Sequence, residues 1–212
     1  MNGRSDMAMQ ASKPVDNITI DDAALVRRCQ QGDSSAMHRL VVKYQDRIYN
    51  LTLKICQNRD DAAELTQETF VKCIENIDGF RGQSTFYTWL FRIAVNLTYN
   101  QCRRRIRLPM QSLEAPASHE MGSAIAQLGA YLADERVADP ALLAQNHEVC
   151  EILMQAIGRL DDDQRIVIVL RDIEQMSYVE IAETLDVELG TVKSRLSRAR
   201  AALRDMLDTV LG

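Results

Sequence analysis

The stretch from residue 60 to residue 107 limits the possible folds most, because an acidic helical segment, an aromatic turn and a basic helical segment follow one another directly. From Asp60 to Asp78 there are six acidic residues and one lysine, and from Arg92 to Arg107 there are five arginines and no acid. Between them lie Asp78-Gly79-Phe80-Arg81-Gly82 and Ser84-Thr85-Phe86-Tyr87-Thr88-Trp89. Two adjacent helices of opposite charge, joined by aromatics, can engage two different partners at once. Asn58 or Asp60 is placed to start the acidic helix and Ser84 to cap the basic one, whose buried stripe reads Phe86, Leu90, Ile93, Ala94 and Leu97.

The net charge of -5 argues against a simple polybasic nucleic-acid binder, so the distribution of charge carries more than its sum. No apolar run is long enough to span a bilayer, and the amino terminus lacks the basic-then-apolar order of a secretion signal. A cytoplasmic location without membrane insertion is expected. The five cysteines are dispersed, which fits reduced thiols better than a disulfide framework or a zinc site. No metal and no cofactor are expected. Neither a Gly-rich phosphate loop nor a nucleophile placed near a histidine occurs, so no catalytic residue is assigned and the chain is not expected to be an enzyme.

Turn and cap signals divide the chain. Residues 1–20 read as a disordered tail. Asp21 and Asp22 open a helix closed by Gly32, and Asp33 or Ser34 caps the next, which carries Leu40, Tyr44, Ile48, Leu51 and Ile55 at helical spacing. Residues 108–138 read as a flexible, acidic linker, with one short helix over Ile125 to Leu132. Asp139-Pro140 starts a further helix, expected to bury Leu143, Val149, Leu153, Ile157 and Leu160. Ile166-Val167-Ile168-Val169-Leu170 alone resembles a buried strand, but no partner strand is in sight, and Asp161, Asp162 and Asp163 suit a helix start. A helix is expected there.

Near the carboxy terminus, Ser177-Tyr178-Val179-Glu180 is a capping box. A turn at Asp186–Gly190 leads into a segment with five basic residues between Gly190 and Arg204 and no acid before Asp205. Val192, Leu196, Ala199 and Leu203 share one stripe, while Ser194, Ser197 and Arg198 face the other way with Lys193 on an edge. This is a helix-turn-helix whose second helix suits a major groove. The same residues would also make an ordinary solvated hairpin; the capping box, tight turn and acid-free helix favour DNA.

Two separate stretches resemble one known family. Asp61-Ala62-Ala63-Glu64-Leu65-Thr66-Gln67-Glu68-Thr69-Phe70, then Phe80-Arg81-Gly82 and Phe86-Tyr87-Thr88-Trp89-Leu90-Phe91-Arg92-Ile93-Ala94-Val95-Asn96, resemble region two of an extracytoplasmic-function (ECF) bacterial sigma factor of the sigma-E type. Ser177 to Ala182 followed by Gly190 to Leu196 resembles region four. The resemblance implies an all-α chain of two small helical domains, residues 21–107 and 139–212, joined by the linker. It implies a subunit that binds core RNA polymerase, through the clamp helices of the largest subunit and the flap of the second. It would direct the polymerase to promoters, melting the minus-ten element with region two and reading the minus-thirty-five element with region four. Asp61, Glu64, Gln67 and Glu68 would face polymerase, with Glu64 standing where the family usually has aspartate. Phe80, Tyr87, Arg92, Asn96, Arg103 and Arg104 would face the minus-ten DNA, with Phe80 and Asn96 holding a flipped base. From the residues alone, Trp89 reads as core and Tyr87 as either core or DNA-facing. Arg171, Thr191, Lys193, Ser194, Ser197 and Arg198 would face the minus-thirty-five element, Ser197 replacing the larger side chain of some relatives. An anti-sigma factor is the expected regulator. A self-sufficient helix-turn-helix regulator would explain Ser177 to Arg204 but leave the acidic helix and aromatic turn without a role.

Overall fold

The structure is a computed structural model that describes residues 21–107 and 140–211. The expected tail, the linker with its short helix, and the Asp139 cap lie outside the described residues, as do the side chains of Arg107 and Leu143. Among the described residues there is no strand. The elements are α1 (Asp22–Gln30), α2 (Ser34–Cys56), α3 (Arg59–Asn76), α4 (Phe86–Arg107), α5 (Pro140–Gly158), α6 (Asp162–Ile168), α7 (Tyr178–Leu185) and α8 (Leu189–Leu211).

Side-chain caps set most of the boundaries. Gly32 takes a left-handed conformation (φ +85°), which lets its N–H donate to Cys29 and the next N–H donate to Arg28 at 3.0 Å, closing α1. Asp33 then caps α2 by accepting from the Ser35 and Ala36 N–H groups. The Ser35 hydroxyl, with the Arg28 guanidinium at 2.6 Å, holds the Asp33 carboxyl well below the usual carboxylate range. Asn58 caps α3 by accepting from Asp61 N–H at 2.9 Å. The cap of α4 is Thr85 rather than Ser84: the Thr85 hydroxyl accepts from Thr88 N–H at 3.1 Å, the third helical position, which Ser84 stands one residue too early to reach.

Helices α2, α3 and α4 pack on one another, with α1 across them. Leu40, Ile48, Leu51 and Ile55 of α2 meet Leu65, Phe70 and Cys73 of α3 and Phe86, Leu90 and Ala94 of α4, all buried. In this group three buried threonines are satisfied locally: Thr66, Thr69 and Thr98 donate to the carbonyls of Ala62, Leu65 and Ala94 at 2.6–2.7 Å.

In the second group the segment Ile166 to Leu170 is helical, as expected. It ends in a wide π turn, Val169–Ile173, and five consecutive apolar residues are buried all round. A strand would have needed a partner for its backbone groups, whereas the helix satisfies them internally. Among the described side chains of α5 the buried positions are Cys150, Met154, Ala156 and Ile157, and Val149 stays half exposed, one residue out of the expected phase. The capping box of α7 is complete: Glu180 N–H donates to the Ser177 hydroxyl at 3.2 Å, and Ser177 N–H donates to the Glu180 carboxylate at 2.8 Å. Helix α8 starts at Leu189, so Gly190 lies in its first turn rather than ending the preceding one. Val192, Leu196, Ala199 and Leu203 are buried as their spacing requires.

Helix α4 buries more than the expected stripe. Phe91, Val95, Tyr99 and Cys102 are also buried, while Ile93 and Leu97 are only partly covered. The cause is a second neighbour, since α7 packs on α4 and α6 on α2. Arg165 of α6 donates to the Ile55 carbonyl at 2.8 Å, and Arg195 of α8 donates to the Tyr99 hydroxyl at 3.1 Å. Both helical groups thus share one contiguous core.

Candidate functional site

Helix α3 buries Ala62, Leu65, Thr66, Thr69, Phe70 and Cys73. At about 100° per residue the opposite arc carries Glu64, Gln67, Glu68, Val71, Ile74 and Glu75 within roughly 120°. Glu64, Gln67 and Glu68 are exposed, as expected. Ile74 is 53% exposed, and Val71 beside it is 51% exposed. The surface therefore joins carboxylates and an amide to an uncovered apolar pair, a combination that suits a protein partner with both basic and apolar groups. Asp61 lies at the edge of this arc, about 20° round from Glu68. It is half-buried and pairs with Arg105 at the end of α4.

The aromatic turn is fixed from below. Gln30 donates to the carbonyls of Ile77 and Phe80 at 2.9 and 3.0 Å, which holds the chain where it leaves the 3-10 turn Ile77–Gly79. The Phe80 ring lies 5.2 Å from Trp89 and 6.2 Å, edge-on, from Phe86. On α4, Arg92, Asn96 and Arg103 are exposed and fall within about 40° of one another, and Trp89 continues the same line toward Phe80. Tyr87 faces the other way. It packs 5.5 Å from Tyr44 with the Arg47 guanidinium 4.0 Å above its ring, and burial pushes its phenol up. Arg103 lies 5.6 Å from the Tyr99 ring, while Arg104 is exposed on another face. The structure brings Phe80, Arg92, Asn96 and Arg103 to one side, and places Tyr87 and Arg104 elsewhere.

On α8 the side chains of Lys193, Ser194, Ser197 and Arg198 are exposed and Thr191 is half-buried. Arg198 reaches back only weakly, 3.4 Å to the Ser194 carbonyl. Lys193, Ser197, Arg200 and Arg204 line a shallow groove with Tyr178, and Arg200 pairs with Asp172 at 2.7 Å. Arg171 lies apart from this face. It donates to the Met176 carbonyl at 2.7 Å and stacks 5.1 Å from Tyr178, so it braces the loop that enters α7. Among the described residues no cluster of ligating side chains could hold a metal ion.

Two family models match the chain: sigma-70 region 2 over residues 40–107 and sigma-70, region 4 over residues 150–203. The ECF RNA polymerase sigma-E factor of Escherichia coli (strain K12) is 35% identical over 196 residues, which cover 91% of this chain and 97% of that protein. The Haemophilus influenzae sigma-E factor is 34% identical over 195 residues, with 91% and 98% covered. This chain is an ECF sigma factor. Among solved structures it resembles the Bartonella quintana sigma factor RpoE in complex with the anti-sigma factor NepR, at 26% identity and a TM-score of 0.56 over 81% of this chain and 96% of that one. It also resembles CnrH in complex with the cytosolic domain of CnrY, at 26% identity and a TM-score of 0.53 over 89% and 97%.

Within this sigma factor, three features carried no readable signal in the sequence. Val71 and Ile74 are apolar in the midst of an acidic helix, and only a wheel drawn over the full length of α3 puts them with Glu64 and Gln67. Trp89 read as core, yet it is partly exposed and borders the Asn96 line. Arg165 stands between the acidic stretch Asp161–Gln164 and the apolar run Ile166–Leu170, where it reads as an ordinary solvated arginine, and its Ile55 partner is 110 residues away. The sigma-70 family is one of initiation factors rather than catalytic enzymes. Among the described residues no helix is long and apolar enough to cross a membrane.

Proposed function

We infer that this sigma factor binds core RNA polymerase through α3 and opens promoters through the turn and outer face of α4, while α8 reads the minus-thirty-five element. Residues 21–107 and 139–212 form the two working domains. One observation carries the reading: a single bundle presents an acidic and apolar arc on α3 and an Arg92–Asn96–Arg103 line beside Phe80 on α4. Carboxylates repel phosphate, so the α3 arc is a protein-docking surface, and the clamp helices of the largest subunit are its partner. Arginines neutralise backbone phosphates, and an aromatic ring or an amide can receive an unstacked base. Stacking returns about 1–3 kcal/mol per base, enough to offset much of the cost of taking a base out of the duplex.

Asn96 is the polar partner for a flipped base, and Phe80 with Trp89 forms the adjoining apolar wall. Tyr87, stacked on Tyr44 under Arg47, acts in packing. Lys193 and Arg204 contact phosphates, Ser194, Ser197 and Arg198 contact bases, and the second domain rests on the flap of the other large subunit. Nucleotide joining belongs to the polymerase; the chain itself performs no reaction and works in the cytoplasm. The solved complexes with an anti-sigma factor support control of this chain by a protein of that class. The test is co-purification with core RNA polymerase, then transcription of chromosomal DNA with the start sites sequenced. A shared minus-ten and minus-thirty-five pattern upstream of the starts is expected. Failure to bind core polymerase refutes the reading.

A further inference from the structure

The last residue of α1, Gln30, reaches across to the start of the aromatic turn. Its Nε2 donates to the Ile77 carbonyl at 2.9 Å and to the Phe80 carbonyl at 3.0 Å, so both amide hydrogens go to one short stretch of backbone. The Ile77 carbonyl also accepts from Phe80 N–H at 3.1 Å, which closes the 3-10 turn Ile77–Gly79. One side-chain amide therefore spans both ends of that turn. The helix that carries it is itself well held. Leu25, Val26 and Cys29 are buried, and the Asp22 carboxylate pairs with Lys43 at 2.6 Å and accepts from the Tyr44 hydroxyl. Tyr44 in turn lies 5.7 Å from Phe86, the first residue of α4. Beyond Phe80 the chain runs through Arg81, Gly82, Gln83 and Ser84, all exposed, with Gly82 in the left-handed conformation (φ +70°). Polar contacts fasten this loop on either side, the Gln30 amide before it and the Thr85 cap after it.

We propose that Gln30 is a positioning residue for the minus-ten element: by holding the Phe80 carbonyl it fixes the wall against which an unstacked base is tested, and so sets how strongly one base is preferred over the others. The proposal rests on the reading of Phe80 and Asn96 as the receptor of that base, and it assigns a cause to the receptor's selectivity. Asn96 and Trp89 stand on one rigid helix and keep their separation. Phe80 comes from the loop and keeps its place only as far as the loop does. A recognition group on a loop is less precisely placed than one on a helix unless a second layer of contacts holds it, and a displacement of about 1 Å is enough to spoil a working geometry.

The two walls of the receptor differ in what they demand. An aromatic ring stacks on any base, so stacking alone carries affinity without preference. An amide distinguishes bases by hydrogen bonds to their edges, which it makes only when the base is held at the right distance. With Phe80 loosened, a base still stacks but no longer arrives at Asn96 in one register. Loss of the Gln30 amide therefore lowers discrimination more than affinity. Both of its hydrogen bonds are neutral and partly open to water, so they add little to the stability of the fold, and their effect is concentrated in the aim of the ring.

The experiment uses Gln30→Met in the full chain. Methionine is close to glutamine in length and helix propensity and lacks the amide. Short single-stranded oligonucleotides are copied from the non-template strand of a start site mapped with the wild-type chain, with each of the four bases placed in turn at every minus-ten position. Their affinities are measured for the wild-type and variant chains bound to core RNA polymerase. The change in preference cannot exceed what the two hydrogen bonds contribute, so a loss of about threefold to tenfold is expected at the position where the wild-type chain discriminates most. Affinity for core polymerase and for a minus-thirty-five duplex is expected to stay at the wild-type value. An unchanged base preference overturns the proposal. So does an equal loss on all four bases with a lowered melting temperature, which would make Gln30 merely structural. A wild-type chain with no preference at any minus-ten position overturns the promoter reading instead. The clamp itself is then decided in the free chain by Trp89, the single tryptophan, whose ring lies 5.2 Å from Phe80. Acrylamide is expected to quench its emission more strongly in the variant, and equal quenching shows that Gln30 does not hold the loop.

Discussion

Replacing Val71 and Ile74 together by serine isolates the apolar part of the polymerase-facing arc from its charge. Fully burying a side chain of this size is worth about 1.5–3 kcal/mol. At 51% and 53% exposure, roughly half of each remains to be covered by a partner. The pair therefore offers about 1.5–3 kcal/mol of binding free energy, or roughly tenfold to a hundredfold in Kd. The other half of each side chain is already covered within the free chain, so the exchange should also cost the fold something on the order of 1–2 kcal/mol, which the melting temperature reads separately from the binding loss. The assay is a titration of fluorescently labelled chain with core RNA polymerase at two salt concentrations. The expected loss is the same at both, since an apolar contact is not screened. Glu68→Lys should instead lose affinity in a salt-dependent way, because exposed charges are screened within about 10 Å at 0.1 M salt. An unchanged Kd for the double variant would refute the assignment of this arc to polymerase. A lowered melting temperature with a proportionate loss of binding would show the residues to be structural.

Arg198→Ala is expected to cost about 1–3 kcal/mol on a minus-thirty-five duplex and to relax base preference at one position; an equal loss on random duplex would reduce Arg198 to a phosphate contact. Phe80→Ala and Trp89→Ala should spare closed-complex formation and impair opening, read by permanganate reactivity of unpaired thymines, whereas Tyr87→Phe should open normally. The buried thiols give a pH dependence. Burial pushes Cys102 up to about 11 and Cys73 up to about 12, against an ordinary 9.0 in the unfolded chain. The unfolded state thus loses these protons first, and their contribution is complete below pH 9 and falls as pH rises toward 11 or 12. The stability difference between wild type and Cys73→Ala/Cys102→Ala should narrow over that window, and a constant difference would contradict the burial argument.

Helices whose signals are local were legible. The capping box at Ser177 and Glu180, the glycine at position 32 and the stripe Val192–Leu196–Ala199–Leu203 each depend on residues within a turn or two of one another. Even the β-branched run at Ile166 resolved correctly, because the absence of a partner strand outweighed its propensity. The misreadings have one cause in common. Phe91, Val95, Tyr99 and Cys102 do recur at helical spacing, as a second stripe of α4 that is buried because the helix also meets the second helical group. Arg165, by contrast, acts through a carbonyl far away in sequence and leaves no periodic trace. The choice between Ser84 and Thr85, or between Val149 and Cys150, turns on a single residue of phase, which a 3.6-residue period does not fix over a short window. At the candidate site, residue types pointed to α3, α4 and α8, but sorting Tyr87 from Trp89 needed the ring positions.

The pair between Asp61 and Arg105 sits where the chain leaves α4 for the segment that connects the two halves. Any pull transmitted along that segment arrives first at the last turn of α4, the part of a helix that frays most readily. Arg105 fastens that turn to the first turn of α3, so the load passes sideways into the bundle instead of unwinding the helix that carries Asn96. The ion pair would act as strain relief on a tether, keeping the geometry of the first helical group when the connecting segment is pulled.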